Sequence, residues 1–153
     1  WLNYSIGKID YDFIDLSENP FPAPNDIRHN LNLVTNYQIK DFQFALNSNF
    51  HSGLPYTKPA GIIDSFFVDY NELNNDRLKP YFRMDLTANY RPGFNKSKKV
   101  KIEFSLSILN LLNRKNAFAR EYRVEEIKGV QQLLFVERAL LERTPLVLGR
   151  VYW

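Results

Sequence analysis

Five stretches of this sequence alternate apolar and polar residues almost without interruption, and this alternation limits the fold more than any other feature. The clearest stretch covers residues 100–108, where every second side chain is apolar. Its apolar residues are Val100, Ile102, Phe104, Leu106 and Ile108. Because successive side chains of a strand point to opposite faces, a period of two predicts a sheet whose faces meet two different environments.

The alternation predicts six antiparallel strands in up-and-down order. The predicted strands are 1–13 with a bulge at Gly7–Lys8, 28–38, 42–52, 81–91, a strand from Val100 that continues past Asn113 to about Glu125, and a return from Val130 to Trp153 interrupted near Pro145. Gly129 marks the tip of the last hairpin. The leucines of 130–143 also fit a helical period, but a strand is favoured because this segment mirrors 114–126 across Gly129.

The predicted connections alternate in length. Those at 39–41 and 92–99 are short, whereas those at 14–27, 53–80 and 114–143 are long or extended. In up-and-down order, this puts every short turn at one end of the sheet and every long loop at the other. Bacterial outer-membrane barrels have this asymmetry, and about 9–11 tilted residues per strand are enough to span a bilayer.

The composition sets further bounds. The chain has 153 residues, enough for one domain, and the absence of cysteine excludes a disulfide framework or a thiolate metal site. A net charge of +3 is smaller than the positive charge typical of nucleic-acid-binding domains, so no nucleic-acid partner is expected. No apolar run approaches the ~20 residues of a membrane helix. The chain starts at Trp1 rather than Met, and we interpret it as a fragment of a longer protein.

Two interpretations compete for the apolar face. In a soluble antiparallel sheet, it would pack on a core while the polar face met water. Such a solvent face is usually rich in Lys and Glu, which also block edge pairing. Here the polar positions are mostly Asn, Gln, Ser, Thr and Ala with isolated charges, which suits a crowded lumen. We therefore favour an antiparallel transmembrane sheet whose apolar face contacts lipid.

Aromatic residues stand where an interfacial belt is expected. Tyr37, Phe42 and Tyr90 fall on the apolar face at strand ends beside the short turns, and Trp153 ends the chain. Rings with an apolar body and a polar tip gather at the interfaces between bilayer and water. These four residues are the predicted membrane-interface aromatics.

Backbone hydrogen bonding predicts that further strands are needed. Each unpaired N–H or C=O in lipid costs several kcal/mol, so a spanning sheet must close on itself. Single-chain barrels begin at about eight strands, so six are too few. The remaining strands must come from the same protein or from a partner chain.

Four motifs at strand ends resemble those of one family. They are Asp26-Ile27-Arg28-His29-Asn30-Leu31, Ser52-Gly53-Leu54-Pro55-Tyr56-Thr57, Arg77-Leu78-Lys79-Pro80-Tyr81-Phe82-Arg83-Met84-Asp85-Leu86 and Asn110-Leu111-Leu112-Asn113-Arg114-Lys115-Asn116. Their order, with Thr144-Pro145 before an aromatic terminal strand, resembles the C-terminal end of TonB-dependent outer-membrane receptors, especially those of Bacteroidetes-type bacteria. The resemblance covers essentially the whole chain.

That resemblance implies a fold and a function. The family has a 22-stranded β-barrel filled by an N-terminal plug, so residues 1–153 would be the C-terminal part of the barrel, with the plug and earlier strands absent. It implies a bacterial outer-membrane receptor, not an enzyme, that imports a large scarce nutrient such as an iron chelate, cobalamin or a glycan. Energy would come from TonB, acting through the missing N-terminal region. Two alternatives stay open: a strand-donating or scaffold subunit of another outer-membrane barrel, and a soluble β-barrel that binds a small ligand.

The lumen face holds the candidate contacts to the plug or to a ligand. They are Arg83, Asp85, Asn89, Asn47, Asn49 and His51. Arg83 and Asp85 share that face two residues apart, so they either contact a partner or pair within a polar wall. His29 and His51 are expected near the loop ends of adjacent strands, as rim residues or as contacts to an iron chelate.

No catalytic set, cofactor site or metal site is predicted. The acidic residues of the longest loop are Asp64, Asp69, Glu72 and Asp76. Their spacing fits no compact cation-binding loop, so a solvated loop is favoured. The lysines of 96–99 are likewise interpreted as a solvated basic turn.

Overall fold

The computed structural model describes residues 1–64, 67–92 and 100–153 of the chain. Strand makes up 62% of the structure, its sheets are antiparallel, and the described residues contain no helix. In chain order the strands are β1 (Leu2–Ile6), β2 (Asp10–Tyr11), β3 (Phe21–Pro22), β4 (His29–Ile39), β5 (Phe42–His51), β6 (Pro55–Tyr56), β7 (Gly61–Ile63), β8 (Phe67–Asp69), β9 (Asp76–Arg77), β10 (Tyr81–Tyr90), β11 (Lys101–Leu109), β12 (Ala117–Ile127), β13 (Val130–Ala139) and β14 (Thr144–Tyr152). The predicted all-β antiparallel fold is confirmed.

Six of these strands form the main sheet, in the spatial order β1-β4-β5-β10-β11-β14. Each strand pairs antiparallel with the next, and the spatial order follows the chain order. The sheet is therefore an up-and-down meander, as predicted. Its two edges are β1 and β14, and no closed barrel is found among the described residues. Closure into a barrel stays a prediction.

The main sheet has a short-turn end and a loop end. At the short-turn end, Lys40 and Asp41 join β4 to β5, with Lys40 at a φ of 51°. The connection from β10 to β11 leaves the same end, and residues 93–99 of the predicted basic turn at 92–99 lie outside the described residues. The loop end carries the connections 7–28, 52–80 and 110–143. The three long connections therefore leave one end of the sheet, as predicted.

The strand register aligns like side chains across the main sheet. One central row joins Thr35, Leu46, Leu86 and Ile108, and the parallel row nearer the short-turn end joins Tyr37, Phe44, Ala88 and Leu106. The row between them joins Asn36, Ala45, Thr87 and Ser107. Because cross-strand partners share a face, the strands β4, β5, β10 and β11 present one apolar face and one polar face. The predicted facing of these strands is confirmed.

The N-terminal strand is shorter than predicted. β1 ends at Ile6, and the Gly7 N–H makes a last hydrogen bond toward the neighbouring strand, to the carbonyl of Arg28 at 3.1 Å. The chain then changes partner, because β2 pairs with β3 in a separate two-stranded sheet. The predicted bulge at Gly7–Lys8 is wrong, since the change of parity reflects a second sheet rather than an extra residue within one strand.

β11 does not continue into β12. It ends at Leu109, and Asn110 takes a left-handed φ of 50°, which short polar side chains tolerate. The Asn113 N–H then donates to the Asn110 carbonyl at 2.8 Å and closes a turn. Beyond that turn, the side-chain amide of Asn116 bonds the N–H and the carbonyl of Phe82 at 3.0 and 2.9 Å, capping backbone groups of β10 that β11 does not reach. The predicted single long strand is therefore wrong.

β12 and β13 form their own hairpin, whose tip is Lys128–Gly129. Both tip residues have positive φ, 55° and 75°, as a two-residue type I′ turn requires, and glycine adopts this conformation without strain. Gly129 as hairpin tip is confirmed, and so is a strand rather than a helix over Val130–Ala139. After an interruption at 140–143, β14 pairs with β11.

The long loops contain more structure than predicted. The segment predicted as one loop at 53–80 holds two small hairpins, β6 with β9 and β7 with β8, and the loop at 14–27 holds β3. The buried hydrophobic residues lie in these connections: Phe21, Ala23, Tyr56 and Leu78. Among the described residues, none of the six strands of the main sheet contributes a buried hydrophobic side chain. The core therefore sits at the loop end and not under the sheet.

Candidate functional site

The apolar face of the main sheet is not covered by any part of the chain that the structure describes. Phe104 is 54% exposed and Val147 is 82% exposed, while Leu86 and Ile102 are half-buried. Together with the aligned rows of the neighbouring strands, these residues make a continuous apolar surface with no core behind it. Because contiguous apolar patches above a few hundred Å² mark contacts with protein or membrane, the apolar face is the first part of the site.

Aromatic rings gather on the apolar face at the short-turn end. The ring centroids of Phe42 and Tyr90 are 4.7 Å apart, and those of Phe42 and Phe44 are 6.2 Å apart. Tyr37 is the cross-strand partner of Phe44 and is exposed. Trp153 follows β14 directly at the same end of the sheet and is 95% exposed. The structure therefore brings the predicted interface aromatics to one end of the sheet.

The middle of the polar face carries side-chain hydrogen bonds between neighbouring strands. Thr87 Oγ1 and Ser107 Oγ are 2.9 Å apart, and Ser105 Oγ donates to Asn89 Oδ1 at 2.5 Å. Cross-strand polar pairs of this kind stabilise a sheet. Asn89, one of the predicted lumen contacts, is thus tied to β11 by its side chain.

Four of the other predicted lumen contacts meet nearer the loop end. Arg83 Nε donates to Asp85 Oδ1 at 2.7 Å, and the same oxygen accepts the Asn110 N–H at 2.8 Å. Asn49 and Asn47 are the cross-strand partners of Arg83 and Asp85. The two charged groups therefore engage each other within a polar wall, and Asp85 also fixes the turn where β11 ends.

The two histidines lie at the loop end of adjacent strands, as predicted, but on opposite faces of the sheet. His51 stacks on Tyr81 on the polar face, with ring centroids 4.6 Å apart. His29 stands on the apolar side, where its Nδ1 is 2.8 Å from the hydroxyl of Tyr4. They do not form a joint pair of ligands to one bound molecule.

A buried carboxylate joins several segments at the loop end. Asp26 is fully buried and accepts the Ile9 N–H at 2.8 Å and Arg28 Nε at 2.7 Å. Arg77 donates to the same carboxylate and also to the Gly53 carbonyl, the latter at 3.1 Å. We call these five residues the Asp26 hub. It ties together three of the four motifs on which the family resemblance rests.

Asp26 remains ionised despite its burial. Desolvation alone would raise the pKa of this carboxyl, but hydrogen bonds from Arg28, the Ile9 N–H and Arg77 outweigh that effect and hold the pKa below its ordinary value of 3.8. A carboxyl whose folded-state pKa is depressed contributes stability above the unfolded-state pKa, and this contribution is lost as pH falls through the folded-state value.

We expect Asp26→Asn to lower the free energy of unfolding by an amount that is constant from neutral pH down to about pH 5. Below 3.8 the difference between wild type and variant should shrink, because the carboxyl of the unfolded wild-type chain then takes up a proton while the folded one still resists it, until it too is protonated at lower pH. Thermal unfolding of both proteins over a pH series measures this difference. A difference that stays constant or grows in acid would contradict the assignment.

A second cluster fastens the β12–β13 hairpin to the rest of the loop end. The Arg120 guanidinium lies 4.9 Å from the ring centroid of Tyr56 and 4.7 Å from that of Phe135. Arg120 also donates to the Tyr56 hydroxyl at 2.7 Å and pairs with Glu137, which raises the pKa of Arg120. The Tyr56 hydroxyl in turn donates to Asp76 at 2.8 Å, and this bond lowers the pKa of Asp76.

Arg120→Ala should release the hairpin, because it removes a cation–π contact and a hydrogen bond to Tyr56, which lies outside the hairpin. We expect a loss of about 1–2 kcal/mol in stability and faster amide exchange in β12 and β13. Arg123→Ala is the control, since Arg123 makes only an exposed pair with Glu125 among the described ion pairs. Equal exchange in the two variants would mean that Arg120 does not hold the hairpin.

Sequence reasoning missed the residues that organise the loop end. Asp26, Gly53 and Arg77 are far apart in the chain, and their only local signal is that each belongs to a motif at a strand end. Arg120 and Tyr56 are 64 positions apart and carry no signal of their contact. Such pairings depend on the folded arrangement of the loops.

Comparisons with family models, with curated proteins and with solved structures found no match for this chain. Fold and site together define a class, an all-β protein whose antiparallel main sheet has one exposed apolar face and one polar face. Across residues 1–64, 67–92 and 100–153, no helix has the length and apolar character needed to cross a membrane. Within the same ranges, no group of three or more acidic or histidine side chains is arranged to hold a metal ion.

Proposed function

We propose that this chain is the C-terminal part of the β-barrel of a TonB-dependent receptor in a bacterial outer membrane. The receptor imports a large scarce nutrient, such as an iron chelate, cobalamin or a glycan, with energy from TonB. The chain acts by transport rather than catalysis. Its partners are outer-membrane lipid, the remaining strands and plug of the same barrel, and TonB.

The observation that carries this proposal is the uncovered apolar face. A soluble sheet of this kind would bury residues such as Leu86, Ile102 and Phe104 in a core, yet Phe104 is more than half exposed. The aromatic rings at the short-turn end and the long connections at the opposite end fit a barrel wall in the outer membrane.

The two open edges favour a second candidate function. β1 and β14 pair with no further strand among the described residues, and an unpaired edge in lipid is costly. The missing strands would come either from the same protein, as in a receptor, or from another protein. In the second case, the chain is a strand-donating subunit or scaffold of another outer-membrane barrel.

Spin labelling of the full-length gene product in lipid tests the membrane assignment. Any cysteine outside the 153 residues is first replaced by serine, and the 153 residues themselves contain none, so Phe44→Cys and Ala45→Cys then place single labels on adjacent positions of opposite faces. The label at position 44 should collide more with oxygen than with a water-soluble nickel chelate, and the label at position 45 should show the reverse. Equal accessibility at the two positions would remove the basis for a lipid-facing sheet.

Binding to TonB separates the two outer-membrane functions. The full-length product should bind the purified C-terminal domain of TonB, and deletion of a TonB box upstream of the plug should abolish binding. A membrane-inserted product with neither plug nor TonB binding would instead support the strand-donating subunit.

A further inference from the structure

The last strand of the main sheet departs from the alternation of the other strands. Leu146 and Leu148 are the cross-strand partners of Ser107 and Ser105, so they stand on the polar face. Leu148 is 46% exposed on that face, and its neighbour Val147 stands on the apolar face, so β14 carries aliphatic side chains on both faces. Exposed aliphatic surface on a polar wall costs about 25 cal/mol per Å² unless something apolar covers it.

A charged row lies beside these leucines. Glu103 is only 6% exposed, accepts a hydrogen bond from Arg91 Nε at 2.8 Å, and is the cross-strand partner of Arg150. Lys101 follows on the same face, two residues from Glu103. Arg91, Lys101 and Arg150 therefore share one carboxylate on this face, and Lys40 and Asp41 of the adjoining turn balance each other, which leaves two positive charges in excess at this corner of the sheet. Elsewhere on the polar face, Arg83 is matched by Asp85.

Space for a partner is present at the same corner. One recess of about 520 Å³ opens beside the short-turn end, and a second of about 500 Å³ opens along β14. The first is lined by Gln38, Gln43, Arg91, Lys101, Glu103 and Tyr152 among others, and the second by Ser105, Ser107, Leu146, Leu148 and Arg150 among others. Glu103 borders both recesses, so aliphatic and cationic surfaces form one continuous strip.

We propose that this strip, which we call the β14 corner (Arg91, Lys101, Glu103, Leu146, Leu148 and Arg150), binds a polypeptide segment in which acidic side chains stand next to aliphatic ones. The proposal rests on the proposed function, since it requires the polar face to line an enclosed interior. Water or small anions would satisfy the cations and leave the leucines uncovered. Hydrocarbon would cover the leucines but would offer no second carboxylate to the cations that exceed Glu103 in number.

Photo-crosslinking in the full-length gene product, in its native outer membrane, tests the β14 corner. The photoreactive amino acid p-benzoylphenylalanine replaces Leu148 in one variant and Val147 in the other, two adjacent positions that face opposite ways. Position 148 should crosslink to a polypeptide, and mass spectrometry of the digest should find Asp or Glu next to the crosslinked residue. Position 147 should crosslink to lipid.

Charge reversal then tests the role of the cations. Arg150→Glu, added to the position-148 variant, should reduce the crosslinked product by about tenfold, as the loss of one charge-assisted contact predicts. Arg123→Glu carries the same change of charge on the β12–β13 hairpin, outside the β14 corner, and should leave the yield unchanged.

Each outcome separates the two proposals. Three outcomes would overturn the acidic-segment proposal. Position 148 could give no polypeptide product, or a product without acidic residues next to the crosslink, or a product that both charge reversals reduce equally. Lipid adducts at position 147 would still support the membrane assignment in all three cases. If position 147 crosslinks to protein and gives no lipid adduct, the proposed function itself is wrong.

Discussion

Leu46→Arg should make folding into lipid vesicles less favourable by about 2–4 kcal/mol, because it puts a charge on the lipid-facing side near the middle of the sheet. Ala45→Arg should change this free energy by less than about 1 kcal/mol, since the added side chain points toward the polar face. The two positions are adjacent on β5, and their cross-strand partners, Leu86 and Thr87, show their opposite facing. Urea titration of refolding into vesicles measures both variants.

A depth comparison distinguishes lipid from a protein core. Phe42 stands on the same face as Leu46 but in the outermost row at the short-turn end, paired with Ile39 and Tyr90. The penalty for Arg on the lipid face falls to about 0–1 kcal/mol near the bilayer interface, so Phe42→Arg should cost much less than Leu46→Arg. A core behind the sheet would not produce this gradient, and equal penalties at positions 42 and 46 would argue for such a core.

The parts of the fold that were predictable from sequence are those set by local chemistry. Alternation along β4, β5 and β10 fixed each strand and its facing, because the period of two is read from neighbouring residues alone. The short turn at Lys40–Asp41 followed from the same reasoning, since it lies between two alternating segments, and the hairpin tip at Gly129 followed from glycine as a turn residue. The length of the long connections placed them at one end of the sheet without any knowledge of their contacts.

The parts of the fold that were not predictable are those in which a segment could pair with more than one other segment of the chain. Nothing in the alternation distinguishes a bulge after Ile6 from a switch to a new sheet, because both change the parity of the apolar residues. The end of β11 depends on the left-handed turn at Asn110 and on the Asn116 amide that caps Phe82. The same holds for the Asp26 hub, whose members come together only once three separate connections have folded over the loop end.

Gly53→Ala should be strongly destabilising, because a Cβ at this position would lie 1.6 Å from the carbonyl oxygen of Leu78. That oxygen belongs to the backbone, so no side-chain rotation relieves the overlap. The backbone of one segment must move, although the Leu78 N–H donates to Leu54 and Arg77 donates to Gly53 in this same contact. We expect a loss at or above the upper end of the range of about 1–3 kcal/mol that is typical of overpacking.

Gly61→Ala is the matched control for Gly53→Ala, since a Cβ at position 61 meets nothing within 4 Å. Its stability should stay within about 0.5 kcal/mol of wild type, as for most surface substitutions. Amide exchange locates the effect: the Leu78 N–H should lose protection in the Gly53 variant, while the amides of β5 and β10 in the main sheet keep theirs. This pattern follows because the close approach lies at the loop end, beside the Asp26 hub, and the sheet is paired independently of it. If both alanine variants were equally stable, the backbones at Gly53 and Leu78 would have to lie farther apart than the structure places them. The close approach of these two segments would then not hold Arg77 beside Asp26.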